Sequence, residues 1–257
     1  MGASKAEAGT SATSARSCLN CGRVLQGAYC SECGQAASVG RLSLRQVIDD
    51  LFSEFSSWDS RLPRTLRRLT VDPGGLCRDY VAGQRVGYVA PLRYLLLALA
   101  LSVLSNWWLD FDPATVMAAG PALSARQQAV RDSVATLVLE HLDWMVLLAL
   151  PLVVLSLRLL YRHSGRNLAE IAAFLMYVQG HLLVLSLLLW PLKLSLPMAA
   201  IALRAMLQWW LLARAGKAFF RVGALAASWR GLLATVCAYL AMLLAAVAIS
   251  LPTLLAS

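Results

Sequence analysis

The chain has 257 residues, of which 59% are hydrophobic and 14% charged, against roughly 45–50% apolar and 25% charged in soluble domains. That composition excludes an ordinary water-soluble globular protein. The formal charge of +9 would suit a nucleic-acid binder, but of the 23 lysines and arginines only Arg126, Arg131, Lys193 and Arg204 lie outside the amino-terminal region and one set of same-side loops, an asymmetry that orients membrane proteins.

Residues 1–17 form a polar Ala/Ser/Thr/Gly tail, expected to be disordered and without the apolar stretch of a secretory signal. Residues 18–35 follow, with two copies of C-x2-C-G: Cys18 and Cys21 before Gly22, and Cys30 and Cys33 before Gly34. Four thiolates at this spacing suit a tetrahedral Zn2+, each pair gripping the ion from a tight turn whose glycine takes positive φ. Two disulfides, disfavoured in a reducing cytosol, or unliganded thiols are the alternative. A closed four-cysteine site has no open coordination position, so the zinc is expected to be structural. Nucleic acid is not the expected partner of this ribbon, because Arg23 is its lone basic residue and Tyr29 its lone aromatic, whereas phosphate contacts need a basic stripe. The ribbon reads instead as a protein-contacting or autoregulatory element.

Residues 41–90 form a basic amphipathic region. Leu44, Val47, Ile48, Leu51, Phe52, Phe55 and Trp58 recur at helical spacing. Then come a run of arginines, a turn at Asp72-Pro73-Gly74-Gly75, a short helix around Arg78 to Ala82 and a stop at Gly83. Arg64, Arg67, Arg68, Arg85 and Tyr88 are the candidate contacts to anionic lipid headgroups, each nearby basic residue contributing about 1 kcal/mol. A solvated basic face packed on other helices is the plainer reading.

Residues 91–257 are expected to be a transmembrane helical domain, the whole chain an all-α polytopic membrane protein with a small N-terminal zinc ribbon of four cysteines. The apolar runs cover about 91–108, 142–161, 168–190, 196–213 and 232–255. With a cytosolic amino terminus, inside loops hold Arg158, Arg162, Arg166, Arg214, Lys217, Arg221 and Arg230, while outside loops hold Arg126, Arg131 and Lys193. This predicts an inner-membrane location with the carboxyl terminus outside. Ala234, Ala238, Ala241 and Ala245 mark a face for close helix packing.

Polar residues at membrane depth need partners or a wet cavity. They concentrate as Glu170, Tyr177, Gln179 and His181 in the third run and Arg204 and Gln208 in the fourth. An antiparallel hairpin turning near Lys193 would pair His181 with Arg204, Gln179 with Gln208, and Glu170 with Arg214 or Lys217. Such a network can be simple interhelical packing, or it can line a path or an anion-accepting cavity. The phosphate-binding, metalloprotease and nucleophile-elbow signatures are missing.

The segment Asp79 to Pro91, read as Y-x-x-G-x-R-x-x-Y-x-x-P from Tyr80, together with Thr65-Leu66 to Pro73-Gly74 and the cysteine pairs, resembles an uncharacterised bacterial family of zinc-ribbon membrane proteins, domain of unknown function 3667. Glu170, Phe174 and His181 match a later stripe of that family. Ile171 stands where a histidine is usual, and Gln84 where a lysine is. The resemblance implies an architecture and no activity. The resulting expectation is a transport, assembly or regulatory membrane module whose ribbon meets a protein partner or its own membrane domain. The alternative is a membrane-embedded enzyme acting on an anionic lipid or isoprenoid-like substrate.

Overall fold

The computed structural model describes residues 16–53, 61–108, 128 and 147–255. The tail before residue 16 lies outside them, as do Phe55, Trp58, Arg126 and Arg131. Among the described residues the chain is helical, with only two isolated bridges, Ser17 to Val24 and Tyr29 to Ala36. The helices are α1 (Leu44–Ser53), α2 (Arg61–Val71), α3 (Pro73–Val81), α4 (Pro91–Trp108), α5 (Leu147–Leu160), α6 (Leu168–Ser186), α7 (Trp190–Ser195), α8 (Pro197–Phe220) and α9 (Ala224–Leu255).

α6 is the central element, buried almost without interruption from Ala169 to Leu183. Its start is specified locally. Asn167 accepts from the Glu170 amide at 2.8 Å, and the Glu170 carboxylate accepts from the Asn167 amide at 3.2 Å, a capping box that satisfies two orphan donors. Around α6 pack α3, α4 and α8, with α9 lying along α8. Ala234, Ala238 and Ala241 are buried in this core, as the small-residue face requires; the Ala245 side chain lies outside the described residues.

Two close approaches depend on glycine. At Gly180 of α6 a Cβ would lie 2.9 Å from Tyr94 Cδ1 and 3.1 Å from the Leu95 Cα, and at Gly74 of α3 it would meet the Ala215 carbonyl and, at 2.7 Å, the Ala218 Cβ. Gly180→Val is therefore expected to destabilise the chain by about 1–3 kcal/mol through overpacking against backbone. Thermal unfolding in detergent would read this as a Tm lowered by several degrees, with Gly223→Ala, where nothing stands within 4 Å, as the neutral comparison.

The predicted juxtamembrane turn is corrected. Asp72 accepts from the Gly75 amide at 2.9 Å and caps α3, so Pro73, Gly74 and Gly75 are already helical, Pro73 lacking only a donor that a first turn leaves unused. Gly83 does end the segment, with φ +110°. In α1, Val47 is buried while Leu44 and Ile48 are half exposed. The predicted apolar stripe thus has only Val47 on the protein side among residues 44–48.

Among the described residues, two helical stretches are long and apolar enough to cross a membrane, Leu168–Ser195 and Ala224–Leu244, and Leu147–Leu160 is a shorter apolar helix. The predicted runs 91–108 and 196–213 are helical as α4 and, from Pro197 on, within α8 but do not meet that measure, interrupted as they are by Arg93 and Asn106 and by Arg204 and Gln208. The outer faces are nonetheless apolar: Leu97, Leu101 and Leu104 on α4, Leu148, Leu152, Leu155 and Leu159 on α5, Leu203 and Met206 on α8, and Leu232, Leu233, Val236 and Leu240 on α9 are all exposed.

Candidate functional site

The two cysteine pairs sit on knuckles built alike. Cys18 N–H donates to Arg23 O and Gly22 N–H to Cys18 O, and likewise Cys30 N–H donates to Gln35 O and Gly34 N–H to Cys30 O. Gly22 and Gly34 take φ of +76° and +72°, the left-handed conformation that glycine adopts without strain. The knuckles face each other. Cys18 Sγ lies 3.6 Å from Cys33 Sγ, Cys21 Sγ lies 3.5 Å from Cys30 Sγ, and all four sulfurs fall within 4.8 Å. These separations are too long for disulfides. An ion bonded to four thiolates at about 2.3 Å sets its sulfurs about 3.8 Å apart, so the four cysteines fit and could hold a metal ion. Backbone amides favour the thiolate form that binds metal at two of the four: the N–H of Cys21 lowers the Cys18 thiol, and the N–H groups of Cys33 and Glu32 bring Cys30 down to about 7, whereas against the pull of the Arg23 amide, burial and the facing thiols push Cys21 up to about 12.

The ribbon is seated on the helical domain. Gln35 is buried and its Oε1 accepts from the Arg85 amide at 3.2 Å. Arg85 Nη2 donates to Gly40 O at 3.0 Å, and Leu19 fills the space over Gly83, where a Cβ would lie 2.8 Å from its Cδ1. Just beyond the ribbon, Arg41 Nε donates to Glu170 Oε1 at 2.7 Å and its Nη2 to Gly165 O at 2.8 Å, while Asn167 Nδ2 donates to Leu42 O at 3.1 Å.

The polar residues of the helices are brought together in pairs other than those expected. Glu170 faces Arg41, with Arg166 Nη1 at 3.8 Å, rather than Arg214 or Lys217. Arg214 instead donates to Val71 O and stacks over Trp210. His181 does not meet Arg204; its Nδ1 lies 3.2 Å from the Tyr94 hydroxyl and its Nε2 3.4 Å from Thr70 Oγ1. Tyr177 donates to Val89 O and packs edge-on to Tyr80. Gln179 and Gln208 are buried, yet Gln179 Oε1 and Gln208 Nε2 each lack a hydrogen-bond partner among the described residues.

The cause is the position of the hairpin. The helix runs on through Leu187–Leu189 and α7, and the chain turns at Leu196 before Pro197 rather than near Lys193. Phe174 accordingly stacks on Phe219 at 4.8 Å, a register displaced by about two helical turns from the expected one. Arg204 is thereby carried away from His181 to a cavity with Ser102, Asn106, Ser186, Trp190 and Lys193.

Of the proposed headgroup contacts, Arg64, Arg67, Arg68 and Tyr88 line one groove with Pro63 and Val71, and Arg68 also pairs with Asp72 at 3.4 Å and Asp79 at 3.3 Å. Arg85 is elsewhere, fastening the ribbon and lying 5.7 Å over the Tyr80 ring. Sequence reasoning missed Arg41 and Thr70 as partners of the polar helix, and nothing local signals them. It also missed the cap at Asn167, which the spacing Asn167-x-x-Glu170 does signal.

No curated protein and no solved structure matches the chain. Residues 59–103, which carry α2, α3, the Arg85–Tyr88 loop and most of α4, match the family described as protein of unknown function (DUF3667).

Proposed function

We propose that the chain is a regulatory or assembly module of the bacterial inner membrane, with the ribbon holding a structural zinc on the cytosolic side and seated on its own multi-spanning helical domain. The observation that carries this reading is the seat itself, in which Leu19, Gln35 and Arg41 tie the cysteine module to Gly83, Arg85 and Glu170 at the start of α6. Support for the orientation comes from one end of the bundle. There Arg166 meets Phe219, Arg214 meets α2 and Arg230 lies over Tyr161, so the basic loops and the ribbon share a side. Membrane embedding is supported by the exposed leucine faces of α4, α5, α8 and α9, too extensive for a water-facing surface. Five spans with the carboxyl terminus outside remain the proposed topology, and the groove of Arg64, Arg67 and Arg68 would then rest against anionic headgroups.

The test is a pair of reporter fusions with an alkaline wash. A reporter ahead of Met1 is expected to be active only in the cytosol and one after Ser257 only outside, with the chain retained in the membrane. A cytosolic reporter at Ser257 would refute the topology, and release by the wash would refute the membrane reading.

A further inference from the structure

Arg204 is 8% exposed, and its Nη1 and Nη2 have no hydrogen-bond partner among the described residues. It borders a cavity of about 60 Å3 whose wall also includes Ser102, Asn106, Ser186, Trp190 and Lys193, with no carboxylate among the described residues that line it. Lys193 is oriented toward the same wall, its Nζ 2.8 Å from Asn106 Oδ1 and 4.8 Å from the Trp190 ring centroid. Two cations border one small, largely apolar cavity, and one of them, Arg204, is buried with its terminal nitrogens unused among the described residues. A guanidinium in that state is among the costliest groups a protein can bury, and an oxyanion is what its fork of donors is shaped to accept.

We propose that this cavity binds a compact oxyanion of the phosphate class, with Arg204 as its principal ligand and Lys193 as the second charge. At about 10–15 Å3 for each water-sized group, the space holds roughly four to six of them, which suits a tetrahedral phosphate and not a bulky organic substrate. Ser102, Asn106 and Ser186 supply neutral polar groups on the wall. The apolar remainder of the wall, Leu187, Leu189 and Ile201 among it, suits the hydrocarbon attached to a lipid phosphate. The proposal depends on the membrane reading only if the anion is a lipid headgroup; a free phosphate ester would use the same ligands.

The full chain, purified in detergent and placed in nanodiscs of phosphatidylcholine with or without phosphatidylglycerol, tests it. Native mass spectrometry is expected to find phosphatidylglycerol retained about tenfold over phosphatidylcholine, with the preference abolished in Arg204→Gln, weakened in Lys193→Gln and kept in Arg204→Lys. In a second arm, inorganic phosphate is added to phosphatidylcholine discs. A rise in Tm that requires Arg204, without any lipid preference, would assign the site to a soluble phosphate and also support the proposal. Equal retention of phosphatidylglycerol by Arg204→Gln and the parent chain, with no Arg204-dependent effect of phosphate, overturns it. Should Arg204→Gln fail to fold, the parent chain decides alone: no lipid preference and no stabilisation by phosphate overturns the site. Release of the chain by alkaline wash would remove the membrane reading while leaving the phosphate arm to be judged separately.

Discussion

Replacing Cys18 or Cys33 by serine is expected to empty the ribbon of metal and unfold residues 16–37, the largest single effect of any substitution in the chain. Apart from its cysteines the ribbon has almost no core of its own: of residues 18–35, only Cys18, Cys30 and Gln35 are buried. Its six knuckle and bridge hydrogen bonds contribute only about 0.5–1.5 kcal/mol net apiece, well short of the ordering entropy of twenty-odd residues. A structural zinc in modules of this size supplies apparent binding energies of about 10–16 kcal/mol at neutral pH, which is then folding energy. Metal analysis should fall from one zinc per chain to none, and tryptic cleavage after Arg23 should accelerate at least about tenfold. A chelator should reproduce this in the parent chain and zinc should reverse it. Cys77→Ser and Cys237→Ser, in α3 and α9 and outside the four-sulfur cluster, should leave the metal content unchanged. Iron in place of zinc, or unaltered proteolysis in Cys18→Ser, would overturn the structural-zinc reading.

How much of this could be read from the residues depends on the range of the interaction. The knuckles were legible because each is closed by residues three apart, and the glycine that each turn needs follows at once. Helix positions were legible for the same reason, since apolar runs announce themselves over a single window. Partners across helices were not. Pairing His181 with Arg204 required knowing where the hairpin turns, and a turn near Lys193, two residues past Pro191, set the expected register. Yet proline is accepted in the first turn of a helix, and α7 begins at Trp190 with Pro191 in that position. One continued helix shifted the register by about two turns and reassigned each pair. Glu170 suffered differently. Its partner Arg41 lies 129 residues away, in the short link after the ribbon, where an arginine looks like any other juxtamembrane charge.

Arg41→Ala is expected to cost more stability than Glu170→Gln, although both break the same ion pair. The two partners are unequally buried, with the Arg41 side chain 62% exposed and that of Glu170 4%. When glutamine replaces Glu170, the arginine can turn to water at little cost, and a glutamine at this capping position can still accept from the Asn167 amide. About 1 kcal/mol is the expected loss, near the value of an exposed pair plus a weakened cap. Removing Arg41 instead leaves a carboxylate buried with only the Asn167 amide and a more distant Arg166. Breaking a fully buried pair in that sense costs about 3–5 kcal/mol; discounted for the exposure of Arg41, about 2–3 kcal/mol is expected, or a Tm lowered by roughly 5–10 °C. The double variant Arg41→Ala/Glu170→Gln should recover most of that, because no charge is then stranded. Hydrogen exchange should rise over residues 36–43 in Arg41→Ala, as the link between ribbon and α6 loosens, while the core of α6 stays protected. Equal losses in the two single variants, adding fully in the double, would mean that the pair is an ordinary surface contact and that the ribbon is not fastened through Glu170.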